Sequence, residues 1–135
     1  MYNRPNPQVC TGPVDASCPL ILCDLTQHDA PIIYASDAFT TLTGYASNEI
    51  IGHNCRFLQT PPSTAARALA RKTTADRDAL KKIRHAVGHN KECQVTITNY
   101  RKDGTRFVNY LTIIPVRWNS GEFNYSVGLQ NVAPE

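Results

Sequence analysis

Three stretches in the C-terminal half, Glu92–Arg101, Arg106–Trp118 and Phe123–Val132, carry apolar and polar side chains in alternation. They are rich in β-branched and aromatic residues and predict strands, joined by hairpin turns at Lys102-Asp103-Gly104 and Asn119-Ser120-Gly121. Earlier, Leu20–Leu25 and Ile32–Ala35 are short apolar runs separated by a polar turn, which predicts a further strand pair. In the middle the period changes. Asp76–Val87 sets Ala79, Leu80, Ile83, Ala86 and Val87 on one face, with acidic residues at its start and Gly88 as a stop. That spacing predicts a helix. Shorter helices are expected after Ser36, ending at Gly44, and after Ser47, ending at Gly52. Between Thr60 and Ala75 the pattern lapses into a Pro61-Pro62 breaker and a basic, Ala-rich stretch, which predicts an exposed loop with one helical turn. Five strands with helices inserted after the second predict an α+β domain over residues 20–132, a five-stranded antiparallel sheet with short helices on one face. Residues 1–19, with Pro5, Pro7, Pro13 and Pro19, predict an extended N-terminal arm.

Composition narrows the function classes. Hydrophobic residues make up 41% and charged residues 19% of the chain, so one folded domain is expected rather than disorder. A net charge of +3 with no densely basic face argues against direct nucleic-acid binding. The longest apolar run is too short to cross a bilayer, and no signal-peptide pattern opens the chain. Five cysteines, an odd number without a CxxC pair, argue for free thiols in a reducing compartment, cytoplasmic or nuclear. Cys18, Cys23 and His28 lack a fourth ligand, so no metal site is expected.

Alternation also locates candidate chemistry. Cys93, Val95, Ile97 and Asn99 share one strand face, and Phe107, Asn109, Leu111 and Ile113 share one face of the next. Each apolar row thus carries one amide, and burying an amide without partners costs about 1–3 kcal/mol. Either each asparagine bonds a strand end or a water, or the two face a polar guest with several donors and acceptors.

The stretch with the highest density of chemistry is Gly52-His53-Asn54-Cys55-Arg56-Phe57-Leu58-Gln59. It resembles the GxNCRFLQ signature of LOV domains, the blue-light-sensing, flavin-binding branch of the PAS family, and the resemblance extends from about Leu20 to Val132. It implies a PAS/LOV fold enclosing a flavin, with Cys55 as the thiol that bonds reversibly to flavin C4a in light. Asn99 and Asn109 match the asparagines at the pyrimidine edge of the ring, and Gln130 matches the glutamine near flavin N5. Asn54 and Gln59 match further polar contacts. Arg56 and Arg84 match the arginine pair that holds the phosphate, a role suited to forked donors. Ile83 and Ile113 are expected to flank the ring, where stiff branched side chains would slow the dark return. Arg67 and Arg71, with Lys72, add positive charge in the long segment after Gln59, which favours FAD as cofactor over FMN.

The opening Asn3–Val9, Gly12-Pro13-Val14-Asp15 and Ile114-Pro115-Val116-Arg117 are similar to the small fungal members of the family; Cys10 and Pro19 depart from that pattern. Nothing after Val132 is long enough to act as an effector, so the expected output is a change in association. Gln130 would reverse a hydrogen bond beside a strand, and the arm would carry the signal to a light-dependent homodimer or to a LOV-containing transcription factor. Two other readings compete: a flavin-binding PAS redox sensor in which Cys55 is incidental, and a thiol enzyme with Cys55 as nucleophile. The second lacks a candidate triad, since His53 is too close to Cys55 in sequence to be assigned as base without geometry and no acidic orienter is evident, so catalytic turnover is not expected.

Overall fold

The computed structural model describes residues 17–70, 72–117 and 123–132. In chain order these form β1 (Leu20–Asp24), β2 (Ile32–Ala35), α1 (Asp37–Thr43), α2 (Ser47–Ile50), a 3-10 turn (Cys55–Gln59), α3 (Thr64–Leu69), α4 (Thr74–Gly88), β3 (Cys93–Tyr100), β4 (Arg106–Arg117) and β5 (Phe123–Leu129). The strands build one antiparallel sheet in the order β2-β1-β5-β4-β3. This is the expected α+β architecture.

Register follows from burial. Cys93 pairs with Ile113, Ile97 with Asn109 and Asn99 with Phe107, and β3 alternates buried and exposed residues along most of its length. A one-residue slip would turn this whole row to water, so the pairing is strongly specified. The same inner row continues through Gly128 on β5 and Ile21 on β1. A side chain at Gly128 would begin 3.1 Å from Ile21 Cγ1, so glycine permits the close packing there. Two apolar clusters occupy this face. Ile21, Cys23, Ile32, Ala35, Phe39, Ile50 and Leu58 join the first two strands to α1, α2 and the 3-10 turn. Ala79 and Ala86 of α4 pack with Cys93, Val95 and Ile97, flanked by Leu80 and Ile83.

Several boundaries differ from expectation, each for a local reason. Helix α4 begins at Thr74, because the Thr73 hydroxyl caps it by accepting from Asp76 N, 3.0 Å away. Gly88 lies inside the helix and His89 closes it. Ser47 is the first residue of α2 rather than its cap; the Ala46 N–H is satisfied instead by Glu49 Oε1 at 2.9 Å. The lapse after Gln59 contains a full short helix, α3, capped by Ser63. β5 ends at Leu129, and Val132 adds only an isolated bridge to Asn109. The arm through residue 16, the turn at 119–121 and Arg71 lie outside the described residues.

Asp76 joins α4 to the sheet. Its carboxylate accepts from Thr98 N at 2.9 Å and from the Thr73 hydroxyl at 3.0 Å, and the residue is 8% exposed. Burial acts to raise its pKa, but the hydrogen bonds from Thr98 and Thr73 outweigh it and hold the group below the ordinary carboxylate value. A depressed carboxylate stabilises the fold above its unfolded pKa, and that contribution is lost as pH falls through the folded value. Asp76→Asn should therefore destabilise the protein by about 1.5–3 kcal/mol at neutral pH, the usual worth of charged hydrogen bonds. The gap should shrink in acid. Denaturant melts of both proteins across pH check this, and a gap independent of pH would refute it.

Candidate functional site

The site is built on the inner face where β3, β4 and the end of β5 meet. Asn109 Nδ2 donates to Asn99 Oδ1 at 3.0 Å and lies 3.5 Å from Gln130 Oε1. Asn99 Nδ2 reaches Thr98 O at 3.1 Å, Gln130 Nε2 reaches Gly128 O at 2.8 Å, and Asn109 Oδ1 accepts from Asn131 N at 3.2 Å. All three amides are buried. The structure thus assembles the three predicted amides into one chain. The alternative of strand-end partners is realised in part, so the cost of unpaired amides does not by itself demand a ligand. Most of these bonds run to other mobile amides or to backbone one or two residues away. They can be exchanged for the edge of a planar heterocycle with little backbone change.

Cys55 opens the 3-10 turn. Asn54 caps that turn, its Oδ1 accepting from Arg56 N at 3.0 Å while its Nδ2 donates to Asp29 O at 2.7 Å. The chain just before is sewn to β2 by Gly52 N to Ile32 O and Ile32 N to His53 O, both 2.8 Å. Leu58 is buried, and Phe57 sets an edge against Tyr45 with ring centres 5.1 Å apart. Turn and β3 pack on each other, and Cys55 packs against the first apolar cluster on the same inner face of the sheet that carries the amides.

Neighbouring Cys55 is a residue that sequence reasoning passed over. Cys23, 7% exposed on β1, lies in the cluster on which Cys55 packs. Contact with Cys55 and burial both push the Cys23 thiol up, so it keeps its proton and donates it to Cys55 Sγ. That donated bond holds Cys55 below the ordinary thiol value despite burial. The signal was present: Ile21 and Cys23 alternate onto the same face.

The two arginines expected to hold the phosphate are placed as follows. Arg56 forks onto Asp29, Nη1 to Oδ1 at 2.8 Å with Nη2 on the other oxygen. Asp29 and Ala30 sit in left-handed backbone, which brings that carboxylate beneath the turn. Arg84 is exposed on α4. A cavity of about 280 Å³ lies between the 3-10 turn, α3, α4 and β3, near the lower end of ligand-site volumes. Its walls include Gln59, Arg67, Lys72, Asp76, Ile97 and Tyr100. Arg67 and Gln59 therefore meet at this cavity, whereas Asn54 bonds within the turn and to Asp29 O, and Arg56 bonds the Asp29 carboxylate. Ile113 is buried on β4, and Ile83 packs beside the α4–β3 cluster.

Two further residues hold the wall in place. Ser36 Oγ accepts from Leu20 N and donates to Cys18 O, both at 2.9 Å, while capping α1. The β3–β4 turn grips α1 and α2 through Arg101 Nε to Leu42 O at 3.0 Å, Lys102 N to Thr43 O at 2.9 Å and the Lys102–Glu49 ion pair at 2.8 Å.

A family model for the PAS domain matches residues 17–132. The chain belongs to the PAS family. Within it, the chain is a LOV domain homologous to fungal blue-light photoreceptors. It is 46% identical over 130 residues to the blue light receptor lreA of Aspergillus flavus, covering 96% of this chain and 15% of that protein. It is 41% identical over 128 residues to the White collar 1 protein of Neurospora crassa, covering 95% of this chain and 11% of that one. The chain thus spans a small fraction of these curated relatives. Its structure superposes on the light-state dimer of the fungal blue-light photoreceptor Vivid with a TM-score of 0.84 and 53% identity, covering 96% of this chain and 86% of that one. No helix among the described residues is long and apolar enough to cross a membrane, and no cluster of three metal-ligating side chains occurs among them.

Proposed function

We propose that this LOV domain is a blue-light sensor that uses Cys55 as its photoactive thiol and answers light by a change in association rather than by catalytic turnover. The observation that carries this reading is the convergence of Cys55 and the amide chain Asn99–Asn109–Gln130 on one face of the sheet. When bound, a flavin supplies the blue-light chromophore and the electrophilic C4a carbon to which Cys55 Sγ bonds reversibly.

The residues have distinct tasks. Asn99 and Asn109 present amide donors and acceptors to the pyrimidine edge. Gln130 carries both an acceptor and an NH₂ group, so it can answer a change from acceptor to donor at its partner by turning over. Its backbone N–H donates to Pro19 O at 2.9 Å, so any displacement reaches the first strand directly. Ile113 and Ile83 exclude water from the ring. Blue light should bleach the flavin band of purified protein, and the band should return over hours in darkness, which corresponds to a barrier of roughly 23 kcal/mol. A spectrum that ignores light would overturn the reading, and recovery within seconds would overturn the assignment of the two isoleucines.

The cofactor is proposed to be FAD. Arg67 and Lys72 line the cavity, and the cationic segment 60–75 supplies charge for a second phosphate. Arg56 and Arg84 serve the phosphate nearer the ring, since the five donors of Arg56 are not exhausted by Asp29. Protein reconstituted with equal FMN and FAD should release predominantly FAD, as read by mass spectrometry; release of FMN alone would count against it. For partners, the reading takes a second copy of this chain in light and a LOV-containing transcription factor of the White collar type.

A further inference from the structure

Cys23 is left unused by the proposed light reaction, yet it is the buried sulfur against which Cys55 packs. We propose that Cys23 and Cys55 form an oxidative modification site, closing an intramolecular disulfide under peroxide that removes the Cys55 thiol from the light reaction.

The two sulfurs are held together from both sides. Cys23 is on β1, clamped between β2 and β5, where it pairs with Ile32 and Ser126. Cys55 follows a segment tied to β2 by the 2.8 Å bonds at Gly52 and Ile32. Neither backbone is free to drift, so the thiols remain neighbours without a loop having to close. Exposure sets the order of events. Cys23 is 7% exposed within the sheet, whereas residue Cys55 keeps partial exposure at the head of its turn, which makes Cys55 the sulfur nearer to solvent along the backbone. The depressed pKa of Cys55 and the raised one of Cys23 agree with that order, since the thiolate is the nucleophile.

The step balances with hydrogen peroxide as the two-electron oxidant. Cys55 thiolate attacks one peroxide oxygen, the O–O bond breaks, and hydroxide leaves to be protonated to water. The resulting sulfenic acid is attacked by Cys23 sulfur, an S–S bond forms, and the S–OH oxygen leaves as a second water carrying the Cys23 proton. Each sulfur loses one electron, and peroxide gains two electrons and two protons in total. Among the described cysteines, Cys18 precedes β1 and is not in the cluster on which Cys55 packs, and Cys93 lies on β3 in the other apolar cluster, so Cys23 is the one placed as the resolving thiol.

The consequence for light rests on the photoreceptor reading; the bond itself does not. Flavin-loaded protein is treated with peroxide in darkness, denatured, alkylated and digested without reductant. A linked peptide joining Cys23 and Cys55 is expected, two hydrogens lighter than the sum of the two reduced peptides. The reversible bleach should be lost in parallel and return with dithiothreitol. Cys23→Ser should yield no linked peptide and should instead carry irreversible sulfinic acid at Cys55, so dithiothreitol no longer restores its bleach. Absence of the linked peptide from treated wild type would overturn the proposal, as would dithiothreitol-reversible loss in Cys23→Ser equal to wild type. If untreated protein never bleaches, the light reading fails, and the linked peptide alone decides the modification site.

Discussion

Replacing Cys55 by alanine should leave the flavin bound and abolish the reversible bleach altogether. The retention follows from the geometry: the amides that would hold the ring are on β4, β3 and the end of β5, and none of their bonds passes through Cys55. The turn should persist as well, because its cap is Asn54 and its anchors are backbone bonds to β2. Cys23 then loses its sulfur partner but keeps its apolar surroundings. The other described thiols should not substitute, since Cys93 belongs to the α4 cluster and Cys23 is buried within β1. Absorption spectra of Cys55→Ala before and after blue light test this. Any light-driven bleached species with the same dark recovery in that variant would end the assignment.

The second large effect is expected at the N-terminal arm. Across the outer face of the sheet, Ile114 pairs with Val127, Val127 with Leu22 and Leu22 with Tyr34, an apolar row spanning four strands. Along β4 this face changes character: Val108 and Tyr110 are 40% and 42% exposed, whereas Thr112 and Ile114 are 5% and 8% exposed. The chain enters β1 beside this row, where Pro19 O meets Gln130 N and Ser36 holds Cys18 and Leu20. We expect light to reset the arm through that junction and present the outer face to a second copy. A ligand-driven shift between two states needs only a few kcal/mol of differential affinity. Intact protein on a sizing column should move toward dimer mass on illumination at high concentration. Deletion of residues 1–17 should remove that response while preserving the bleach. A light response that survives the deletion, or none in the intact chain, would rule the arm out as the relay.

How much of this was legible depends on the distance over which each feature is determined. β3 and β4 are readable to within a residue because one face is buried, so alternation directly encodes register. The start of α4 is set by the Thr73 hydroxyl, three residues ahead of Asp76 and off the apolar face, so periodicity alone starts the helix late. Asn99 and Asn109 could be drawn to one site because strand parity fixes the side of the sheet to which each belongs, whereas Gln130, just past the end of β5, was reached only through the resemblance. Arg56 could not be placed: its partner Asp29 is brought beneath it by left-handed backbone that no hydrophobic pattern reports. Alternation along β1 shows that Cys23 faces inward, but its meeting with Cys55 follows from the turn being tied to β2 by backbone bonds at Gly52 and Ile32, which local spacing does not report.

The strand order has a consequence for biogenesis. β5 is the seam between the β2-β1 pair and the β4-β3 pair, and it is the last of the sheet's five described strands in chain order. Until it emerges, the nascent chain holds two separate two-stranded ribbons, each marginal by itself in water. The pairing of Leu20 with Leu129 joins nearly the two ends of the described chain, so loop-closure entropy delays it further. Strand edges of β1 and β4 stay open until β5 pairs with both, and open edges of this kind are prone to pair with other chains. Gln130, at the far end of the seam, is therefore installed at the same moment that the sheet becomes whole.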